Sequence, residues 1–294
     1  MENGDRYHQV PEAKYECLLF DVDDTLYPFS SGLSHECTKN IIGYMVEKIG
    51  IEENEAPEIN VRLYKDYGTT MAGLRASGYN FDYDDYHSFV HGRLPYEILK
   101  PDPVLKGLLQ SLPIRKFIFS NANKEHVTKV LGRLGLEDCF EGVICFDTLN
   151  PVNKRDESDA KDDPVFRGPK PSAISCPETH VTDNSCHPNA VRPNTPIVCK
   201  PFEDAFEKAL KLADINPQKT LFFDDSIRNL QTGKLTGLHT VWVGSSHRAK
   251  GVDYALESIH NIREALPELW ETAAEKTEEV VYSETVAIET SVRA

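Results

Sequence analysis

At 294 residues the chain is long enough for one large domain or two modest ones. It carries 32 basic against 47 acidic residues, a net charge of −15, which argues against non-specific nucleic-acid binding because that needs a basic face. No apolar run reaches the length of a membrane span, and seven scattered cysteines without a Cys-x-x-Cys pair suggest reduced thiols in a cytoplasmic or nuclear setting.

Residues 1–14 are polar, include Glu2 and Asp5, and lack the apolar core of a signal peptide. A loose tail is expected there. Tyr15 to Phe20 is a short apolar run that ends abruptly at Asp21-Val22-Asp23-Asp24. Such a run predicts a buried strand of a parallel sheet. Ligands of parallel sheets sit just beyond the carboxyl ends of the strands, so these acids are expected at the mouth of the sheet. Crowded carboxylates repel one another unless a cation joins them. Hard divalent ions fit, and Mg²⁺ fits best where a phosphate shares the site. A solvated acidic turn is the plain alternative.

From Ser30 to Ile98 no strand is evident. Asn40 to Ile49 puts Ile41, Tyr44, Met45 and Ile49 on one helical face, and Ile59 to Tyr67, Thr70 to Ala76 and Asp82 to Leu94 are further helix candidates. Residues 30–98 are therefore expected to form a helical cap inserted after the first strand. Strand and helix signals then alternate. Helices are predicted over Pro103 to Leu112, Glu125 to Leu134, Phe202 to Leu212, Ser226 to Leu235 and Ile259 to Trp270. Strands are predicted over Arg115 to Phe119, Gly142 to Phe146, Thr220 to Phe223 and Thr240 to Val243. This alternation predicts an α/β fold with a doubly wound parallel sheet, built from residues 15–29 and 99–270. Residues 150–196 are rich in Pro, Asp, Asn and Ser and read as a flexible surface insertion. They hold Cys176, His180, Cys186 and His187, a conceivable zinc set whose spacing matches no standard finger. Residues 271–294 are expected to be a disordered acidic tail.

Three strands are thus expected to deliver polar residues to one edge: Asp21 and Asp23, then Ser120 and Asn121, then Asp224 and Asp225. Lys200 precedes a helix after the insertion. Each has an ordinary reading alone: Ser120-Asn121 as a helix cap, Lys200 as a surface lysine, Asp224-Asp225 as a turn. Parallel topology would place them all in one cleft.

These residues carry a family resemblance. Asp21-Val-Asp-Asp-Thr-Leu26 resembles the first motif of the haloacid dehalogenase-like hydrolases, and Ser120, Lys200 and Asp224-Asp225 with Asn229 resemble the later motifs in the right order. The helical segment resembles a type-1 cap on a Rossmann-like core. Phe20-Asp-Val-Asp-Asp-Thr-Leu-Tyr-Pro28 and Tyr67-Gly-Thr-Thr-Met-Ala-Gly-Leu74 look most like the pyrimidine 5′-nucleotidase-like members. Asp24 departs from the pattern, since many members have Gly there. The resemblance implies Mg²⁺-dependent hydrolysis of a small phosphorylated metabolite through an aspartyl phosphate. Asp21 would be the nucleophile. Asp23 would be the acid and base, a role suited to a carboxyl group whose pKa is raised. Asp21, the Asp23 main-chain carbonyl and Asp225 would hold the metal, with Asp224 close by. Ser120 and the Asn121 main chain would bind phosphoryl oxygens, Lys200 would offset charge on the phosphoryl group, and Asn229 would steady the metal site from one layer out. Asp23 favours phosphate esters, because carbon–halogen cleavage needs no acid for the leaving group. Tyr27, Phe29, Tyr67, Tyr83 and Tyr86 are candidates either to stack on a base or to fill the cap core. Two other readings stay open: a phosphomutase, and a catalytically idle protein that uses the cleft or insertion for binding.

Overall fold

A computed structural model describes residues 14–151, 195–247 and 249–270. Both tails, most of the insertion and the conceivable zinc set lie outside the described residues. Six strands form one parallel sheet in the order β3-β2-β1-β4-β5-β6. They are β1 (Cys17–Phe20), β2 (Arg115–Phe119), β3 (Gly142–Ile144), β4 (Thr220–Asp224), β5 (His239–Val243) and β6 (Tyr254–Leu256). β1 lies in the middle, and all four of its residues are buried. Side chains alternate across a strand, so β1 feeds two cores. Leu18 and Phe20 pack with Leu105, Val127, Val130 and Ile262 on one face. Cys17 and Leu19 pack with Phe119, Ala205, Phe206, Phe222 and Leu230 on the other.

The helices around the sheet are α5 (Pro103–Ser111), α6 (Lys124–Leu134), α7 (Phe146–Leu149), α8 (Glu203–Ala213), α9 (Ile227–Leu235) and α10 (Ile262–Ala265). Between β1 and β2 the described elements are all helical. Ahead of α5, and apart from two short 3-10 turns, they are α1 (Leu33–Tyr44), which runs into a π-helical turn at Met45–Ile49, then α2 (Ala56–Tyr67), α3 (Thr70–Ala76) and α4 (Tyr83–Val90). This segment has its own core of Tyr44, Met45, Leu63, Met71, Leu74, Tyr86, Phe89 and Val90, which also takes in Phe146, Ile197 and Cys199 from the sheet side.

Several predicted elements differ. The expected final helix over Ile259 to Trp270 is broken into a 3-10 turn at Ile259–Asn261, a single turn of α10 and another 3-10 turn at Pro267–Leu269. Pro267 lacks the N–H needed to continue a helix. β6 was not predicted, because three residues carry no readable period. The first cap helix starts seven residues earlier than the expected Asn40, after Gly32 in the left-handed region at φ 84°. Ser226 sits at the N-cap of α9 but makes no side-chain capping bond. Among the described residues no helix is long and apolar enough to cross a membrane. Cys17, Cys37, Cys139 and Cys145 are free thiols.

One buried side chain ties stability to pH. His87 on α4 is packed between His91, with ring centroids 5.2 Å apart, and Phe146 at 4.7 Å. Neither ring nitrogen has a hydrogen-bond partner among the described residues. Burial holds its pKa down at about 4, against a smaller upward pull from Asp147. The unfolded chain takes up this proton below about pH 6.5, and the folded chain only below about pH 4. Stability is therefore complete above 6.5 and is lost as pH falls through that window, by about 3 kcal/mol. Urea unfolding at about pH 7 and about pH 4 should show the wild type losing about 3 kcal/mol more than His87→Leu over the same interval.

Candidate active site

β1 and β4 run in register, Phe20 beside Phe223, and the Asp21 N–H donates to the Phe223 carbonyl at 2.8 Å. Asp21 and Asp224 therefore leave the sheet side by side. In an open sheet of this order the cleft lies where neighbouring connections leave in opposite directions, here between β1 and β4. The chain turns at once after Asp21. Asp24 adopts φ 59°, in the left-handed region, which explains why a glycine suits this position. Here the side chain compensates: its two carboxylate oxygens accept from the Ser34 hydroxyl at 2.8 and 2.7 Å, tying the turn to α1.

Lys200 is the hub of the site. Its side chain is 1% exposed, and Nζ lies 2.9 Å from Asp21 Oδ1 and 2.7 Å from Asp224 Oδ2. Burial alone would push the ammonium toward its neutral form, but the two carboxylates win and keep it charged. The main-chain N–H of Ser226 donates to Asp224 Oδ1 at 2.8 Å, and Asn229 Nδ2 donates to both Asp224 oxygens at 3.0 and 3.1 Å. Asn229 thus fixes Asp224.

Asp21, Asp224 and Asp225 each turn a carboxylate oxygen inward, all within 4.8 Å of one another. Burial pushes Asp21 up to about 8; Lys200 opposes this, and Asp224 and Asp23 add to it. Burial, then Asp224 and Asp21, push Asp225 up to about 9. Fully ionised, the three carboxylates would exceed the one ammonium by two negative charges, and the raised Asp21 and Asp225 reflect that repulsion. A hard divalent cation with oxygen ligands fits this donor set in charge and chemistry. The Asp23 side chain stands apart from the cluster.

Ser120 and Asn121 follow β2 as expected, but their side chains have particular partners. Ser120 is 1% exposed, and its Oγ accepts from the Ala122 N–H at 3.1 Å. Asn121 clasps the main chain of Lys200: Oδ1 accepts from its N–H at 2.8 Å, and Nδ2 donates to its carbonyl at 3.0 Å. Neither caps α6; that residue is Asn123, whose side chain accepts from the His126 N–H.

Asp23 overturns one expectation. Its pKa is not raised. Burial pushes it up, but His126 and Tyr27 outweigh burial and hold it down at about 2. His126 Nε2 lies 2.8 Å from Oδ1, and the Tyr27 hydroxyl donates to the same oxygen at 2.6 Å. Beside them opens a cavity of about 420 Å³ between the sheet and the helical segment. Asp23, Tyr27 and His126 form its sheet side, and Asn60 and Tyr64 of α2 and His91 at the end of α4 line it from the helical segment. Of the aromatic candidates only Tyr27 lines this cavity. Tyr86 is buried in the helical core, Tyr67 and Tyr83 pack on that core, and Phe29 is 70% exposed.

The sheet order and the convergence of Asp21, Lys200 and Asp224-Asp225 can be set beside known proteins. CbbY of Rhodobacter sphaeroides, solved in complex with phosphate, superimposes with a TM-score of 0.51 over 87% of this chain and 99% of that one, at 17% identity. This is the fold of the haloacid dehalogenase-like hydrolases. A HAD phosphatase from Thermococcus onnurineus gives a TM-score of 0.47 at 17% identity, covering 85% of this chain and 96% of that one. Phosphate metabolism protein 8 of Saccharomyces cerevisiae is 27% identical over 164 residues, 53% of this chain and 50% of that protein. The match thus spans about half the length of that curated relative. No protein-family model matches the chain.

In this haloacid dehalogenase-like fold four features join the site without a motif in the sequence to mark them: His126, His91, Asn60 and the packing of Gly68. A histidine in the first turn of α6, one helical turn past Ser120-Asn121, was the available signal for His126. Gly68 ends α2 at φ 80°. A Cβ there would lie 2.5 Å from the Lys200 carbonyl oxygen and 2.8 Å from Pro201 Cδ. The helical segment thus rests main chain to main chain on the hub residue. Gly78, at φ 88°, has nothing within 4 Å of such a Cβ. Gly78→Ala should cost only the backbone strain, about 1 kcal/mol. Gly68→Ala adds overpacking and should lose about 2 kcal/mol more, read by chemical denaturation of the two variants side by side.

Proposed function

We propose that the protein is a Mg²⁺-dependent phosphatase that hydrolyses a small phosphomonoester, with a nucleoside 5′-monophosphate as the first substrate to test. One observation carries this reading: Asp21, Lys200 and Asp224-Asp225 meet at the sheet edge while Asp23, two residues on, lines the adjoining cavity. A carboxylate beside a buried ammonium suits attack on phosphorus, and a second carboxyl facing the cavity suits protonation of an alcohol leaving group. The likeness to the nucleotidase-like members in the Tyr67 to Leu74 run, and a relative named for phosphate metabolism, support the substrate class.

In this reading an Asp21 oxygen attacks phosphorus and the ester oxygen leaves with a proton from Asp23. A dianionic phosphoryl group brought against Asp23 favours that proton, offsetting the pull of His126 and Tyr27. Water then attacks the aspartyl phosphate, gives its proton to Asp23, and inorganic phosphate departs. Lys200 keeps Asp21 oriented and balances phosphoryl charge. Ser120 and the main chain at Asn121 hold phosphoryl oxygens. Asp21, the Asp23 carbonyl and Asp225 would hold Mg²⁺, with Asp224 and Asn229 behind them; the ion would supply charge neutralisation for an anionic nucleophile meeting an anionic substrate. The helical segment would act as the cap that excludes water.

Purified protein with Mg²⁺ should release phosphate from nucleoside monophosphates, and chelation should stop it. Asp21→Asn should lower kcat by roughly three orders of magnitude or more, since it removes the covalent path. Near-native turnover by that variant, or halide release from haloacids in place of phosphate release, would overturn the assignment.

A further inference from the structure

Asp23 does not simply point into the cavity; it is held there by one of its two oxygens. Oδ1 takes both the Tyr27 hydroxyl at 2.6 Å and His126 Nε2 at 2.8 Å. The hydrogen bonds made by the described side chains leave Oδ2 for the cavity. The other nitrogen of His126 is also engaged: Nδ1 lies 2.9 Å from the Tyr96 hydroxyl. His126 is 2% exposed, so its ring has no room to turn away. A side-chain run Tyr96–His126–Asp23–Tyr27 results.

The origin of its members matters. Tyr27 lies where the chain leaves the sheet for the helical segment, and Tyr96 begins the 3-10 turn Tyr96–Ile98 where it returns. His126 comes from α6, 103 residues from Asp23. Two of the three links, Tyr96–His126 and His126–Asp23, cross between elements, so the run fixes a rotamer that the local chain leaves open. A histidine needed only for packing has no reason to seek the carboxylate beside the nucleophile. On the cavity side, the His91 ring packs on His126 with centroids 4.5 Å apart, and His91 Nδ1 is 2.7 Å from Asn123 Oδ1.

We propose that His126 and Tyr27 are positioning residues that pin Oδ1 of Asp23, so that Oδ2 is the oxygen through which the proton passes to and from the ester oxygen. This rests on the phosphatase reading above. The balance is simple. As the Asp21–phosphorus bond forms and the phosphorus–ester oxygen bond breaks, the proton on Oδ2 goes to the departing oxygen, which leaves as an alcohol. When water attacks the aspartyl phosphate, one of its protons returns to Oδ2 and Asp21 is released as carboxylate. Tyr27 and His126 exchange nothing with substrate. They set where the proton sits, and a misplacement of about 1 Å at such a group costs roughly 10²-fold.

The test compares two esters on the intact protein with Mg²⁺: a primary alkyl phosphate, whose alkoxide must be protonated to leave, and 4-nitrophenyl phosphate, whose phenolate leaves unaided. Asp23→Asn sets the full loss of selectivity between them. His126→Leu should lower the alkyl-to-aryl ratio of kcat by at least about ten-fold, Tyr27→Phe should lower it in the same direction by less, and His126→Gln, which can keep a donor near Oδ1, should restore part of it. A purely structural role lowers both rates together and leaves the ratio unmoved. An unmoved ratio in the variants overturns the pinning while the phosphatase reading stands. Should His126→Leu fail to fold, Tyr27→Phe decides by the same ratio. A wild type inert toward both esters overturns the phosphatase reading, and the pinning with it.

Discussion

The site depends on one buried ammonium. Lys200 lies between Asp21 and Asp224 with almost no exposure, and neither carboxylate would sit so deep without it. Ionised groups out of water cost several kcal/mol each unless paired and hydrogen-bonded, so the geometry of this triad is under strong constraint. The protein meets it by fixing the main chain of Lys200 as well as its tip. Asn121 clasps both main-chain groups, and Gly68 presses against the carbonyl from the helical segment. Cys199 Sγ meets the Tyr67 carbonyl, and the Thr195 hydroxyl donates to the Ala72 carbonyl. The segment from Thr195 to Lys200 is therefore the seam between the two parts of the fold.

That seam gives the cavity its two-sided character. The sheet supplies the acids, and the helical segment supplies a wall that is partly apolar, with Asn60, Thr38 and Thr70 as its polar points. Arg228 at the start of α9 donates to the Tyr64 and Lys65 carbonyls at the end of α2, a cation placed at a helix C-terminus where it is favoured. These contacts and those around Lys200 join the same two parts of the fold.

The polar strand ends were legible because parallel topology obeys a simple rule. A short apolar run followed by polar residues must leave them at the carboxyl edge, as β1 does with Asp21, β2 with Ser120 and Asn121, and β4 with Asp224 and Asp225. Lys200 was found by resemblance; nothing local distinguishes it from other lysines of a strongly charged chain. Asn121 was legible as a site residue, but its side chain serves Lys200, 79 positions away. β6 and the broken C-terminal helix were not readable, since the first is too short to show a period and the second has an apolar pattern interrupted by Pro267.

The sequence by itself determined the layered α/β architecture, the all-helical segment after the first strand, and the edge at which the acids gather. These follow from apolar periodicity and chain order, which are local. Only the tertiary structure decided how those acids behave. Asp23 has a carboxyl held low because His126 packs against it from 103 residues away, whereas Asp21 and Asp225 are pushed up by burial and by the neighbouring Asp224. Ionisation answers to through-space charge and desolvation, and neither is written in the residues on either side.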